Sequence, residues 1–316
     1  IMLTLVFACR NFNNMAGGIE RIASWIMNEM VIRGHKVILL TWDELNAEPH
    51  YDLNPNIKWI KLNLGAPNIK ASWNVRFKRQ LYIRNYLKKL RPSLVIGFQV
   101  GTFIAIRTAL IGLSIPIIAA ERNSPDLFKF TKNSKKNRFL SCLALFFSDC
   151  ITVQFDSYKF KYPHFLRSKI HTIQNPVKPS IDPFFPNEQN SCPKRILNIG
   201  RLSLQKNQLF LINSFSLIAK NNPEWVLTLV GEGEYRKLIE DLIYEKSLNN
   251  RVEIIGRVKD VDIWYRESSF LAFPSLWEGF PNVLTEAFRQ GLPAVGLYNT
   301  SGVNELLIHK RNGILS

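Results

Sequence analysis

The chain is poor in the residues that build metal-bound or disulfide-stapled domains, with four cysteines in 316 residues. Cys9, Cys142, Cys150 and Cys192 form no C-x-x-C pair, so neither a zinc site nor a redox pair is indicated. They read as buried thiols in a reducing cytosol. The five histidines, His35, His50, His164, His171 and His309, stand in no motif and read as structural. Residues 2–8 are apolar but short, with no basic region before them, which argues for a first strand and against a signal peptide. Residues 101–120 approach the length of a bilayer span, yet Arg107 lies within them and Pro116 divides them, so a helix followed by a strand fits better. Internal repeats and low-complexity tracts are missing. So are the G-K-[ST] of a P-loop and the G-x-G-x-x-G of a dinucleotide fold.

Acidic residues are scarce in one half only. Residues 1–187 hold 26 Lys+Arg against 11 Asp+Glu, a balance of +15, whereas residues 188–316 hold 15 against 14. The first half therefore wants an anionic partner. The bias is sharpest over residues 70–91, with Lys70, Arg76, Lys78, Arg79, Arg84, Lys88, Lys89 and Arg91 and no acid. Trp73, Phe77, Leu81, Tyr82 and Tyr86 are interleaved with them. Such a helix suits anionic lipid headgroups, and Arg76, Lys78, Arg79, Arg84 and Lys88 are expected to face a membrane. A second basic cluster, Lys129, Lys132, Lys135, Lys136 and Arg138, stands near Phe128 and Phe130. Nucleic acid is the rival partner, since a basic stripe with aromatics also fits phosphates and stacked bases.

What is present is the composition of a globular protein, 46% hydrophobic and 21% charged, with length enough for two domains. Apolar runs alternate with amphipathic stretches, the pattern of βαβ units. Strands are expected at 3–8, 36–41, 57–62, 94–97, 115–120 and 151–153, and helices at 18–33, 71–90, 101–112 and 133–147. Proline crowding over 174–193 breaks the pattern, and the alternation restarts at 195. The expected organisation is an α/β domain over 1–178, a linker over 179–193 and a second α/β domain over 194–316. The chain begins at Ile1 and stops at Ser316 without completing the second domain, and reads as a fragment of a longer protein.

The densest motif is residues 275–288. An apolar strand at 269–273 precedes it, and Val283, Leu284, Ala287 and Phe288 follow at helical spacing, with Pro281 suited to a first helical turn. Glu278 and Gly279 should then lie in a strand-to-helix loop at the carboxyl edge of a parallel sheet, where ligands bind. Glu286 should lie about two turns down the helix. The amides of Gly279 and Phe280 precede that helix and suit an anion or hydroxyl. Upstream, Arg201 and Lys206 flank another strand-to-helix loop, a guanidinium fork and a point charge suited to a diphosphate. Gly17-Gly18 follows the first strand and opens a helix, as a backbone that approaches a ligand closely would. Asp260-Val261-Asp262 opens a helix and reads as capping, not as a metal-binding D-x-D.

Glu278 and Glu286 with Gly279-Phe280-Pro281 between them resemble the signature of the retaining glycosyltransferases of family 4. Asn198-Ile199-Gly200-Arg201-Leu202, Gln205-Lys206-Asn207, Val230-Gly231-Glu232-Gly233 and Ile255-Gly256-Arg257-Val258 follow the same family's order. The resemblance implies a GT-B fold, two Rossmann-like domains facing across a cleft, the second truncated here. It implies that Arg201 and Lys206 neutralise the donor pyrophosphate as the sugar bond breaks, in place of a metal. Glu278, Gly279 and Phe280 would contact the donor sugar, Glu286 the ribose, and Gly17 and Gly18 the donor phosphate or acceptor. Arg122 stands where many relatives carry a histidine. Arginine cannot shuttle a proton, so a phosphate contact is expected of it.

The reading is a retaining, metal-independent hexosyltransferase with no cofactor, its nucleotide sugar, UDP-linked, being a substrate. It would move a hexose or N-acetylhexosamine to a glycan or polyprenyl-diphosphate-linked acceptor for cell-surface polysaccharide. Its place would be the cytoplasmic face of the plasma membrane, held peripherally on anionic lipid, with no nucleic-acid partner. The alternatives are a nucleotide-sugar epimerase of the same architecture, a nucleic-acid-binding protein using the basic half, and an inactive relative kept as a scaffold.

Overall fold

The computed structural model describes residues 1–69, 71–130, 134–177, 194–258 and 260–316. Lys70, Lys132, Cys192 and the expected linker at 179–193 lie outside the described residues. The chain divides into two compact units, Ile1–Asn175 and Pro176–Ser316.

The first unit runs β1 (Thr4–Cys9), α1 (Gly18–Ile32), β2 (Lys36–Thr41), β3 (Lys58–Lys61), α2 (Trp73–Leu90), β4 (Leu94–Phe98), α3 (Val100–Ala109), β5 (Ile117–Ala120), α4 (Ser134–Leu145), β6 (Cys150–Val153), α5 (Asp156–Phe160) and β7 (Ile170–Thr172). The strands are parallel, in the order β3-β2-β1-β4-β5-β6-β7. Residues 5–9 and 37–41 are buried throughout, because helices cover both faces of such a sheet and its strands read as continuous apolar runs. Ala23 and Met27 of α1 pack with Leu5, Phe7 and Leu39. That helix stops at Gly34, whose φ of +82° is the left-handed turn that glycine adopts without strain.

Helix α2 starts where the Ser72 hydroxyl accepts from the Val75 N–H at 3.4 Å, an N-cap. Its inner face is Arg79, Ile83 and Leu87, and this corrects the expectation for Arg79. That side chain is 6% exposed and donates to the carbonyls of Leu64 and Gly65 at 2.9 and 2.8 Å. Arg84 also turns along the protein, donating to the Ala109 and Ile111 carbonyls at 2.9 and 2.6 Å. Arg76, Lys78 and Lys88 are exposed. Positions four apart share a helix face, so the acid-free run of cations is split between two sides.

The second unit runs β8 (Arg195–Ile199), α6 (Gln208–Ala219), β9 (Val226–Val230), α7 (Arg236–Glu245), β10 (Val252–Gly256), α8 (Asp262–Arg266), β11 (Phe270–Phe273), α9 (Asn282–Arg289), β12 (Ala294–Gly296) and β13 (Gly313–Leu315). Its parallel order is β10-β9-β8-β11-β12-β13. Strand alternation sorts the core: Leu197, Ile199, Leu271 and Phe273 pack with Tyr265, Leu284 and Ala287 on one face. Ile196, Leu227, Leu229 and Ala272 pack with Ile212, Phe215 and Ile239 on the other. Each sheet thus reverses its strand order once, between β1 and β4 and between β8 and β11. Open α/β sheets take ligands outside the carboxyl ends at such a point.

Candidate active site

The loops that leave β8 and β11 meet at the second unit's switch point. The first, residues 200–207, includes a 3-10 turn at Leu204–Lys206 and the left-handed Asn207, φ +57°. The second, residues 274–281, leads into α9. Three hydrogen bonds fasten them: the Leu276 N–H to the Gln205 carbonyl at 2.9 Å, Gln205 Nε2 to the Trp277 carbonyl at 2.8 Å, and Asn207 Nδ2 to the Pro274 carbonyl at 3.2 Å. From opposite loops, Lys206 Nζ and Glu278 Oε1 then meet at 2.6 Å, their side chains 16% and 7% exposed. Lys206 Nζ also stands 5.1 Å above the Phe273 ring, a cation–π distance. The Glu278 N–H donates to the Ser301 carbonyl at 2.9 Å, which ties the site to the loop after β12.

Glycines hold the first of these loops against the loop after β9. A Cβ on Gly231, φ +145°, would lie 2.0 Å from the Gly200 carbonyl oxygen, and one on Gly233 would lie 2.1 Å from that of Leu202. The contact is backbone on backbone, which only glycine permits. It is secured by the Leu202 N–H to the Glu232 carbonyl and the Tyr235 N–H to the Leu202 carbonyl, both at 3.1 Å. Arg201 is thereby brought beside Glu234, Nε to Oε2 at 3.0 Å, both well exposed. Gln208, fully buried, spans the loop's base, reaching Asn198 Oδ1 at 3.3 Å and the Arg201 carbonyl at 3.1 Å.

Helix α9 begins at Asn282, with Pro281 as the residue before it. Pro281 is therefore outside the first turn, and Glu286 lies little more than one turn in, not two. The Tyr265 hydroxyl, from α8, donates to Glu286 Oε2 at 2.9 Å. Tyr265 is 1% exposed, so it fixes the carboxylate from below. Sequence reasoning missed Tyr265, Glu234 and Ser301, since each reaches the site through tertiary contact and carries no local pattern. Asp260 Oδ1 accepts from the Asp262 N–H at 2.9 Å, but the N-cap of α8 is Val261, with no side-chain cap bond, so Asp260 holds the turn before the helix and does not cap it. Among the described residues no three His, Cys, Asp or Glu side chains converge as metal ligands.

The first unit carries Gly17, Gly18 and Arg122. Gly17 is the N-cap of α1, and a Cβ there would fall 2.1 Å from Glu20 Oε2. The chain's own carboxylate thus lies over the glycine where an external anion was expected. Arg122 donates to Asn175 Oδ1 at 3.0 Å and stacks over Phe98 at 5.6 Å. Burial lowers its pKa to about 10, still charged at neutral pH, and its Nε is buried with no hydrogen-bond partner. Glu121 beside it is half-buried, and desolvation pushes its carboxyl up to about 7 against the opposing pull of the Tyr162 hydroxyl at 3.4 Å and the Val100 N–H.

Residues 182–316 match the family model of glycosyl transferases group 1. The chain is a glycosyltransferase. Along 95% of its length it is 28% identical to an uncharacterized glycosyltransferase of Haemophilus influenzae, covering 82% of that protein. Along 99% it is 27% identical to a Campylobacter jejuni alpha-1,4-N-acetyl-D-galactosaminyltransferase named for a GalNAc- and diNAcBac-containing PP-undecaprenol, covering 84% of it. The solved structure of Anabaena HepE in complex with UDP and glucose superposes with a TM-score of 0.77 at 17% identity, over 99% of this chain and 85% of that one. The GT-B fold class expected of this glycosyltransferase is borne out, as two doubly wound Rossmann-like units.

Proposed function

We propose that this glycosyltransferase is a retaining, metal-independent family 4 enzyme. It takes a hexose or N-acetylhexosamine from a UDP-linked donor and gives it to a lipid-linked glycan in cell-surface polysaccharide synthesis. The observation that carries the reading is the Lys206–Glu278 contact across the β8/β11 switch point, with Arg201 on the same loop and Glu286 on the next helix. A donor diphosphate entering this edge would draw Lys206 and Arg201 from their carboxylates, and the two cations would stabilise the charge that grows on the leaving phosphate. They would do so without a metal, and no cofactor is required. Glu278, released from Lys206, would meet a sugar hydroxyl beside the Gly279 and Phe280 amides. Glu286, held by Tyr265, would take the ribose hydroxyls. The UDP bound by HepE and the PP-undecaprenol in the name of the Campylobacter relative support the choice of donor and acceptor.

Membrane association belongs to the same proposal. Trp73, Phe77 and Leu81, at four-residue spacing on α2, are 82%, 65% and 43% exposed. With Lys78 and Lys88 they make an outward face that is both apolar and basic. α3 and α4 contain no acid, and α4 exposes Phe139 and Leu143. Exposed apolar side chains among cations suit the headgroup boundary of an anionic bilayer better than a nucleic-acid backbone. Among the described residues no helix is long and apolar enough to cross a membrane.

The test is a thermal-shift panel of UDP, GDP and ADP in EDTA, on the wild type and on Glu286→Ala. Stabilisation by UDP that weakens in the variant supports the donor assignment. Transfer from labelled UDP-sugars to a polyprenyl-diphosphate glycan, followed by anomeric analysis, tests retention. No shift with any nucleotide at concentrations far above a usual KM would overturn the proposal.

A further inference from the structure

Two helices of the second unit share one face of its sheet and treat water differently. α7 is built for solvent: Arg236 Nε meets Glu240 at 2.8 Å and Lys237 Nζ meets Asp241 at 2.8 Å, the i,i+4 ion pairs of an exposed helix. α6, beside it over the same core, contains no charged side chain from Gln208 to Ala219. Its inner face is Gln208, Ile212, Phe215 and Ala219. Phe210 and Leu217, seven residues and so about two turns apart, fall on the opposite face, where they are 49% and 80% exposed. Ile218 flanks them at 47%. A helix that is apolar all round is ordinarily covered all round.

The polar residues between Phe210 and Leu217 make little demand on water. Asn213 Nδ2 donates to the Leu209 carbonyl and Ser214 Oγ to the Phe210 carbonyl, both at 3.0 Å. These donors are spent on the helix's own backbone, so dry contact would leave neither unpaired.

Charge selects the occupant. An anionic bilayer or a nucleic acid is held by Lys and Arg, and this helix offers neither. The half of the chain around it is close to neutral, residues 188–316 holding 15 Lys+Arg against 14 Asp+Glu. Two copies of the protein can therefore meet here without repulsion, whereas the first half, at +15, would oppose its own approach.

We infer that the outer face of α6 is a self-association surface that takes the same face of a second copy of this chain. A two-fold contact needs a self-complementary patch, and this stripe is one. With two α6 helices antiparallel, the axis falls between residues 213 and 214. Phe210 of one copy then packs against Leu217 of the other, and the small Ser214 at the centre lets the helices approach. One helix face per copy is small among specific interfaces, so a Kd on the order of micromolar is expected.

Sedimentation velocity of the full chain, up to about 100 μM and at low and high salt, tests this against that Kd. The variants are Leu217→Glu and, as a control on the exposed apolar face of the first unit, Phe77→Glu. A monomer–dimer equilibrium that survives high salt is expected, because no ion pair holds it. Leu217→Glu should weaken it about tenfold or more, as loss of a central apolar contact does, and Phe77→Glu should leave it unchanged. Ser214→Cys should give a covalent dimer under mild oxidation, beyond any formed by the wild type, since the axis brings the two thiols together. A monomer at every concentration, a dimer that salt dissolves, or one that Phe77→Glu abolishes and Leu217→Glu does not would overturn the inference. So would Ser214→Cys forming no additional cross-link.

Discussion

Lys206 and Glu278 come from loops 72 residues apart in sequence and share a contact of 2.6 Å. Both are largely buried. Removing one partner of a buried pair typically costs about 3–5 kcal/mol, because the remaining charge is left unmatched. Lys206→Ala is expected to destabilise the second unit by about that amount and Glu278→Gln by less, since the amide still accepts a hydrogen bond. Denaturant unfolding measures the difference. Equal small losses from both would mean the pair is solvated and not coupled. In transfer assays Lys206→Ala should lower kcat by more than Arg201→Ala, because Lys206 is held at the switch point while Arg201 is 71% exposed.

Tyr265 would act on the proposed donor through Glu286. Removing its hydroxyl leaves the ring's packing intact and frees the carboxylate to turn. Tyr265→Phe is expected to weaken UDP binding by about threefold to tenfold, in line with one hydrogen bond, and Glu286→Ala to weaken it more. If Tyr265→Phe weakens UDP binding equally in the Glu286→Ala background, the hydroxyl acts elsewhere.

Gly231→Ala places a methyl group 2.0 Å from the Gly200 carbonyl, and neither backbone can yield without breaking the Gly200 N–H bond to Val230. We expect a loss of several kcal/mol or failure to fold. Gly112→Ala, at another left-handed glycine with nothing near its Cβ, should cost about 1 kcal/mol. Thermal melts of the two variants separate crowding from conformational strain.

Glu121 sets a pH dependence in the first unit. Its folded pKa of about 7 lies above its unfolded value, so the folded state keeps a proton that the unfolded state gives up. Its contribution is fully present below the unfolded pKa, near 4, and is lost as pH rises through about 7, some 3 kcal/mol in all. Raising pH from 5 to 8 should therefore lower the wild-type Tm more than that of Glu121→Gln. Parallel pH profiles for the two proteins would contradict this.

The sequence could be read for elements and motifs, because both leave local marks. The apolar run at 36–41 and the amphipathic stretch at 18–33 fold as β2 and α1 within a residue of their expected bounds. β7, β12 and β13 span three residues each, too short for alternation to show. Side-chain destinations were harder. Arg79 lies in the same acid-free run as Lys78, and one residue of helical rotation sends the first inward and the second outward. Arg201, Lys206, Glu278 and Glu286 could be named from their motifs. That Lys206 pairs with Glu278, and Glu286 with Tyr265, depends on strand order, which no local pattern encodes.

The cations of the two units are held in different ways. Lys206 and Arg201 rest against carboxylates, so an anion must displace a resident charge before it binds. Arg10, Arg76 and Arg79 rest against peptide carbonyls and need no such exchange. Binding of an anion at the second unit therefore carries the cost of breaking an ion pair, a cost that guanidiniums held by peptide carbonyls do not carry.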